Sequence, residues 1–268
     1  MNLAQLDRRW IFAIIALSVA LPLMFPIGLT GEVSPGTRTF HTLIENLGPE
    51  DVIIVSFDCE ASSWPEIGPV ATVLLRHVLE RGVKVVGTSF LSEGTALGYD
   101  LLATLEAEVG GEYGGDWVYL GFRPQYVATM LALGEDMQSE YPRDYLGQST
   151  RDLPLLQSVK SYRQIRLVIS IADDTMPQYW IEYAGARYGV AIAAGLSAVM
   201  VTTFTPYLDS GQLKSILAGL KGAAEYEIMR GERGAGLRGM DAQSSAHLAI
   251  IILVLVGNIA YFMKRKDT

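Results

Sequence analysis

The chain begins and ends in unbroken apolar runs and alternates between them. Residues 10–29 carry no charge over 20 positions, and residues 248–263 form a second uncharged run of 16. A helix needs about 20 apolar residues to cross a bilayer core. The first run has that length. The second reaches it once Ser244, Ser245, Ala246 and His247 extend it on one side, with Tyr261 and Phe262 near the other interface. Residues 10–29 and 247–263 are therefore predicted to be transmembrane helices, with residues 30–246 as one domain between them. Residues 1–9 and 264–268 are left as short flanks.

Within the domain, short β-branched runs alternate with runs of helical period. Strands are predicted at 51–57, 84–89, 117–120, 166–172, 190–194 and 198–204. Helices are predicted at 40–47, 95–109, 124–133, 155–162, 177–187 and 211–229. The clearest helix follows Ser63, which pairs with Glu66 as a Ser-x-x-Glu capping box. Ile67, Val70, Ala71, Leu74, Leu75, Val78 and Leu79 then share one helical face. Residues 134–153 read as a long surface loop or partner contact, and 231–245 as a glycine-rich tether. Ser215 with Gly219, and Ala218 with Gly222, are small pairs four apart that suit close helix packing. Strand–helix alternation predicts an α/β fold: a Rossmann-like, doubly wound, mainly parallel sheet between N- and C-terminal transmembrane helices. The uncharged stretch 188–206 is assigned to this core, with a third span as its alternative.

Charge adds a direction. Arg8 and Arg9 precede the first apolar run, and Lys264, Arg265 and Lys266 follow the second. Basic residues at span ends stay in the cytoplasm. Both termini are expected inside, and the domain outside the cell membrane. Ser18-Val19-Ala20 resembles a signal cleavage site, but the apolar run continues past it, so an uncleaved anchor is expected. Without the five terminal basic residues and the two flanking aspartates, 16 basic residues face 27 acidic ones, a net charge of −11. Such a surface repels phosphate backbones, so nucleic acid is not an expected partner. The lipid bilayer is, together with a protein partner or a second copy. Gly257 and Asn258 in the second run are candidates for helix association. The single cysteine, Cys59, rules out an intrachain disulfide and reads as a buried side chain.

Candidate chemistry gathers behind the strands. In open α/β sheets ligands bind beyond the carboxyl ends. Asp58, Glu60, Ser62 and Ser63 follow the first strand, Ser89 the second, and Asp173, Asp174 and Gln178 the fourth. They are candidate ligand-binding residues, with the aspartates as oxygen ligands for a hard cation. The competing reading makes them helix caps and turn formers, Ser63, Asp174 and Asp209 above all. The three histidines, His41, His77 and His247, lie far apart and make a poor zinc set, with His77 read on the polar side of its helix. No dinucleotide loop, Walker lysine or nucleophile elbow is present, so no cofactor is assigned and an enzyme is not expected. The layout resembles auxiliary subunits of membrane transport systems in arrangement alone. The expected function is a membrane-anchored, non-enzymatic interaction or scaffold subunit. The alternative is a small-molecule or ion-binding sensor, or a degenerate enzyme, with its site at the carboxyl edge.

Overall fold

The computed structural model describes residues 8–28 and 31–266, with side chains up to residue 262. Helix α1 (Arg8–Met24) leads into α2 (Pro35–Glu45), then β1 (Val52–Asp58), α3 (Trp64–Glu80), β2 (Lys84–Ser89), α4 (Ser92–Val109) and β3 (Trp117–Phe122). Three helices follow: α5 (Tyr126–Glu135), α6 (Met137–Glu140) and α7 (Pro154–Ser158). After β4 (Ile165–Ala172), α8 (Met176–Tyr179) runs through a wide turn at Trp180–Gly185 into α9 (Ala186–Tyr188). Then come β5 (Ala191–Leu196), α10 (Val201–Asp209), β6 (Ile216–Ala218), α11 (Gly219–Arg230) and α12 (Ala235–Lys266).

The six strands form one parallel sheet in the order β3-β2-β1-β4-β5-β6. This is a doubly wound order, which reverses between β1 and β4. Parallel strands need helical crossovers that cover both faces, so their sequences read as continuous apolar runs. All seven residues of β1 are buried. Alternate positions feed two cores. Ile54, Val86, Val118, Val168 and Ile192 pack on one face with Trp180 and Tyr141. Ile53, Val55, Phe57, Val85 and Ile169 pack on the other with α3 residues such as Val70 and Leu74.

Three local expectations fail for identifiable reasons. The β-branched run 198–204 is helical, a 3-10 turn leading into α10. Only Ser197 separates it from β5, and a parallel neighbour needs a crossover. Of the apolar positions in 211–218, Ile216, Leu217 and Ala218 form β6, whose Ile216 and Leu217 face opposite cores. Gly219, with φ +54°, turns the chain sharply into α11. The small pairs of 215–222 thus straddle a strand–helix junction and are not one helical stripe. The stretch 188–206 lies inside the domain, not in a span. Residues 134–153 are largely irregular and lie at the surface, anchored by the buried Met137, Tyr141 and Thr150.

The two ends differ from expectation most. Among the described residues, one helix is long and apolar enough to cross a membrane, Ala235–Phe262. α1 has 17 residues, ending before Pro26, and residues 29 and 30 of the expected first span lie outside the described set. The supposed tether 231–245 is mostly the first turns of α12. Gly236 lies where a Cβ would come within 2.7 Å of the Ala224 nitrogen, and at Gly239 one would meet Leu220 at 2.9 Å. These glycines serve close packing of α12 on α11. Glu227 of α11 accepts from the backbone nitrogens of Gly234 (3.1 Å), Gly236 (2.8 Å) and Leu237 (2.8 Å). It thereby satisfies donors that a helix start leaves open. Further along α12, the buried Asp241 carboxylate accepts from Ile27 N (2.6 Å) and Gly28 N (2.7 Å), and α1 packs antiparallel along α12 from there. Since Gly236 faces Ala223 and Ala224 while Gly239 faces Leu220, α12 advances toward the start of α11. That end abuts Glu66 and Ala198, behind β5. The apolar part of α12 therefore leaves the domain past the carboxyl edge of the sheet.

Candidate functional site

Parallel pairing brings the ends of β1, β2, β4 and β5 to one edge, and the order reverses between β1 and β4. Asp58 and the Asp173-Asp174 pair flank that reversal. Asp58 ends β1 fully buried, on the same strand face as Ser56 and Ile54. Its carboxyl accepts from Ser56 Oγ (2.5 Å) and Phe90 N (2.8 Å). Burial outweighs these bonds and pushes its pKa up to about 7, with the charge of Asp174 adding to the rise. Burial likewise raises Asp174, opposed by the bond from Met176 N (2.8 Å). Cys59 is buried beside them, and burial with the neighbouring aspartates pushes its thiol up to about 12. A thiol held protonated in this way is not a nucleophile.

The remaining candidates divide. Asp173 Oδ2 accepts from Glu60 N (3.1 Å), which clamps the β1 loop to the β4 loop. Ser62 Oγ donates to Glu60 Oε2 (3.3 Å) and Ser63 Oγ to Glu60 O (2.9 Å). Ser89 Oγ donates to Phe57 O (2.7 Å) and Leu91 O (2.5 Å). Gln178 turns along its own helix to Glu182 (3.0 Å). The expected capping box does not form. A 3-10 turn at Ala61–Ser63 already makes Ser63 helical, so its side chain cannot reach forward as a cap. Glu66 instead accepts from Ala198 N (2.7 Å), bracing α3 against the segment after β5. Asp174 does bond forward to Met176, whereas Asp209 is the last residue of α10 and not an N-cap. In the C-terminal helix, Asn258 Nδ2 donates to Val254 O (2.8 Å), and nothing lies within 4 Å of a Cβ at Gly257. Both positions face open space.

Two features were not read from the sequence. A cavity of about 660 Å³ opens at the end of β3, lined by Arg123, Arg143, Arg151, Asp144 and Tyr145 among others. Asp144 is engaged by Tyr113 Oη (2.5 Å) and Gln148 N (2.7 Å), while Arg123 lies 4.4 Å over the Tyr141 ring. Three guanidinium groups thus line one cavity in a chain of net charge −8, with Arg123 3.7 Å from the Glu140 carboxylate. No motif spacing marks these arginines. They meet because 134–153 folds back over β3.

The second feature corrects the histidine reading. His77 is 1% exposed, not on a polar face. It falls three and four residues after Leu74 and Val73, within the buried arc of α3, which was the available signal. His41 and Glu45, four apart on α2, face it. His77 Nε2 is 3.1 Å from Glu45 Oε1, and His41 Nε2 is 3.9 Å from the same oxygen. His77 Nδ1 is 2.7 Å from the Tyr226 hydroxyl of α11. Burial pushes the pKa of His77 down to about 4 and lowers that of His41, so both are neutral at pH 7.

No protein-family model matches the chain, and neither a curated protein nor a solved structure matches it.

Proposed function

We propose that the chain is a membrane-anchored, non-enzymatic interaction or scaffold subunit, held at both ends and presenting its domain in a fixed attitude to the bilayer. The observation that carries this reading is the rigid mount. α12 passes without a break from its seat on α11 into the apolar stretch, fixed by Glu227 at its start and by Asp241 to the end of α1. A freely diffusing sensor would need only a flexible leash. A subunit that must offer one face to a neighbour benefits from a stiff one. The antiparallel hairpin of α1 and α12 suits two passes, with both basic flanks at the end remote from the domain, in the cytoplasm. The acidic carboxyl edge would then face the lipid surface, which disfavours adhesion to anionic lipid and favours contact through protein. The helices offer exposed apolar surface for such contact, including Phe12, Leu17, Ile251 and Leu255.

Two measurements test this. With Cys59 buried, a Gln148→Cys variant carries one accessible thiol. It should react with a membrane-impermeant maleimide from outside intact cells, and labelling from the cytoplasmic face alone would refute the orientation. A photo-crosslinking residue at position 257 or 258 should yield a discrete larger species in the native membrane. Recovery of monomer alone would sink the scaffold reading.

A sensor is the second reading, and the arginine-lined cavity favours it. If it holds, phosphate or a small carboxylate should raise the melting temperature of the purified chain, and the Arg151→Ala variant should lose the effect.

A further inference from the structure

We propose that His41, Glu45 and His77 form a binding site for a transition-metal dication, Zn²⁺ in the first instance, independent of the scaffold reading. Their ligand atoms, one from each side chain, lie within 4.8 Å of one another. Tetrahedral Zn²⁺ with bonds near 2.0–2.1 Å spaces its ligands about 3.4 Å apart. His77 Nε2 and Glu45 Oε1, at 3.1 Å, already have that spacing. Closing the set requires the partly exposed His41 ring to turn inward, its Nε2 now lying 3.9 Å from Glu45 Oε1. Two imidazoles and one carboxylate leave a fourth position, and the exposed side of Glu45 opens it to water. A set of this kind suits Zn²⁺, Co²⁺ or Ni²⁺ and not a hard cation, which prefers oxygen ligands throughout.

The surroundings hold the ligands as a metal site requires. A metal-bound imidazole places its second nitrogen on a hydrogen-bond partner. Tyr226 provides one for His77, at 2.7 Å from Nδ1. Without metal, neutral His77 donates from Nε2 to Glu45 and accepts at Nδ1 from the tyrosine hydroxyl. With metal, the single ring proton moves to Nδ1, where the tyrosine oxygen accepts it, and Nε2 is freed. Arg81 Nη1 holds the other oxygen, Glu45 Oε2, at 2.7 Å, and its Nε donates to Leu47 O (2.9 Å). Oε1 is thereby left for the cation. Arg230, the other nearby cation, is matched by Glu80 and by Glu232 (2.7 Å). The final turns of α2, α3 and α11 converge here: Glu45 ends α2, His77 lies in the last turn of α3, and Tyr226 is four residues from the end of α11. Helix C-termini carry partial negative charge, which favours a cation.

The test uses the full-length chain in detergent, freed of any affinity tag and stripped with chelator. Titration with Zn²⁺ in competition with a chromophoric chelator should give one site per chain. Co²⁺ should show the intense visible absorption of a tetrahedral site with nitrogen ligands. The His41→Gln variant changes a partly exposed side chain, so it keeps the fold. It should lose more affinity than the roughly 10–100-fold expected of an outer-shell change such as Tyr226→Phe. His247→Ala should bind like the wild type. Absence of binding to the wild type, equal affinity in the His41→Gln variant, or loss on changing His247 would each overturn the site.

Discussion

The carboxyl edge of the sheet and the His41–Glu45–His77 cluster are both rich in titratable groups, but they dispose of them differently. At the carboxyl edge the carboxylates are occupied by backbone nitrogens: Asp58 by Phe90, Asp173 by Glu60, Asp174 by Met176, Glu93 by Ala61 and Glu66 by Ala198. Those groups close loops. In the cluster, the side chains of three helices are turned toward one another, and the shared oxygen of Glu45 lies between two imidazoles. The difference teaches that a row of acids behind strands is first a way of ending strands. Unspent ligand capacity collects where separate helices meet.

The largest expected effect probes the buried end of that contrast. An unfolded aspartate titrates near about 3.9, whereas Asp58 titrates at about 7. Between those pH values the folded chain holds a proton that the unfolded chain has lost. Asp58 therefore makes stability fall as pH rises through this window, with the full value present below it. The gap corresponds to an upper figure on the order of 4 kcal/mol. The Asp58→Asn variant, isosteric with the neutral acid, should gain on the wild type by about 2–4 kcal/mol between pH 4 and pH 8. Chemical unfolding across that range reads the difference. A constant gap would mean that the wild-type carboxyl is ionised throughout, and so not silent in the way its burial implies.

Next in size is the second partner of His77. The Tyr226→Phe substitution keeps the ring against His41 and His77 but leaves Nδ1 without its hydroxyl. A loss of about 1–2 kcal/mol in stability is expected for an unsatisfied buried group. Unchanged stability would mean that the tyrosine does not hold His77 in place, which would weaken the cluster's claim to be preorganised. A loss near 1 kcal/mol is expected for Glu66→Ala, which takes the acceptor from Ala198 N much as the loss of a helix cap does. Because Glu66 only braces α3 against the segment after β5, its removal should leave Zn²⁺ affinity unaltered. A drop in affinity would tie the two ends of α3 together and erase the contrast.

These sites were unequally legible for a physical reason. Strand ends are local: the run Val52 to Phe57 fixes where β1 stops, and with a parallel sheet Asp58, Ser89 and Asp173 must share an edge. The order of strands and crossover helices was legible in the same way, apart from 198–218, where β-branched residues in α10 and apolar residues in β6 imitate each other's pattern. The His cluster depends on how α2, α3 and α11 pack, and nothing in the spacing from 41 to 77 to 226 encodes that. Arg123, Arg143 and Arg151 meet only because 134–153 is folded down by Met137 and Tyr141. The mount was hidden by composition. Gly234, Gly236 and Gly239 read as slack chain, yet Gly236 lies against the α11 backbone where no side chain fits, and Gly234 and Gly239 pack on Glu227 and Leu220.

The smallest effect is the most discriminating for the carboxyl edge. In Asp173→Asn the side-chain oxygen can still accept from Glu60 N, so only a charge is lost from an exposed clamp. If the aspartates there are loop closers, stability should change by no more than a few tenths of a kcal/mol, as for ordinary surface changes. Ca²⁺ or Mg²⁺ should not distinguish the variant from the wild type in calorimetry. Should either cation release heat with the wild type and not with the variant, the acids would be ligands first and closers second. The two ends of the domain would then be alternative metal sites, hard at one end and borderline at the other, and the contrast between them would lie in ligand type and not in whether ligand capacity remains.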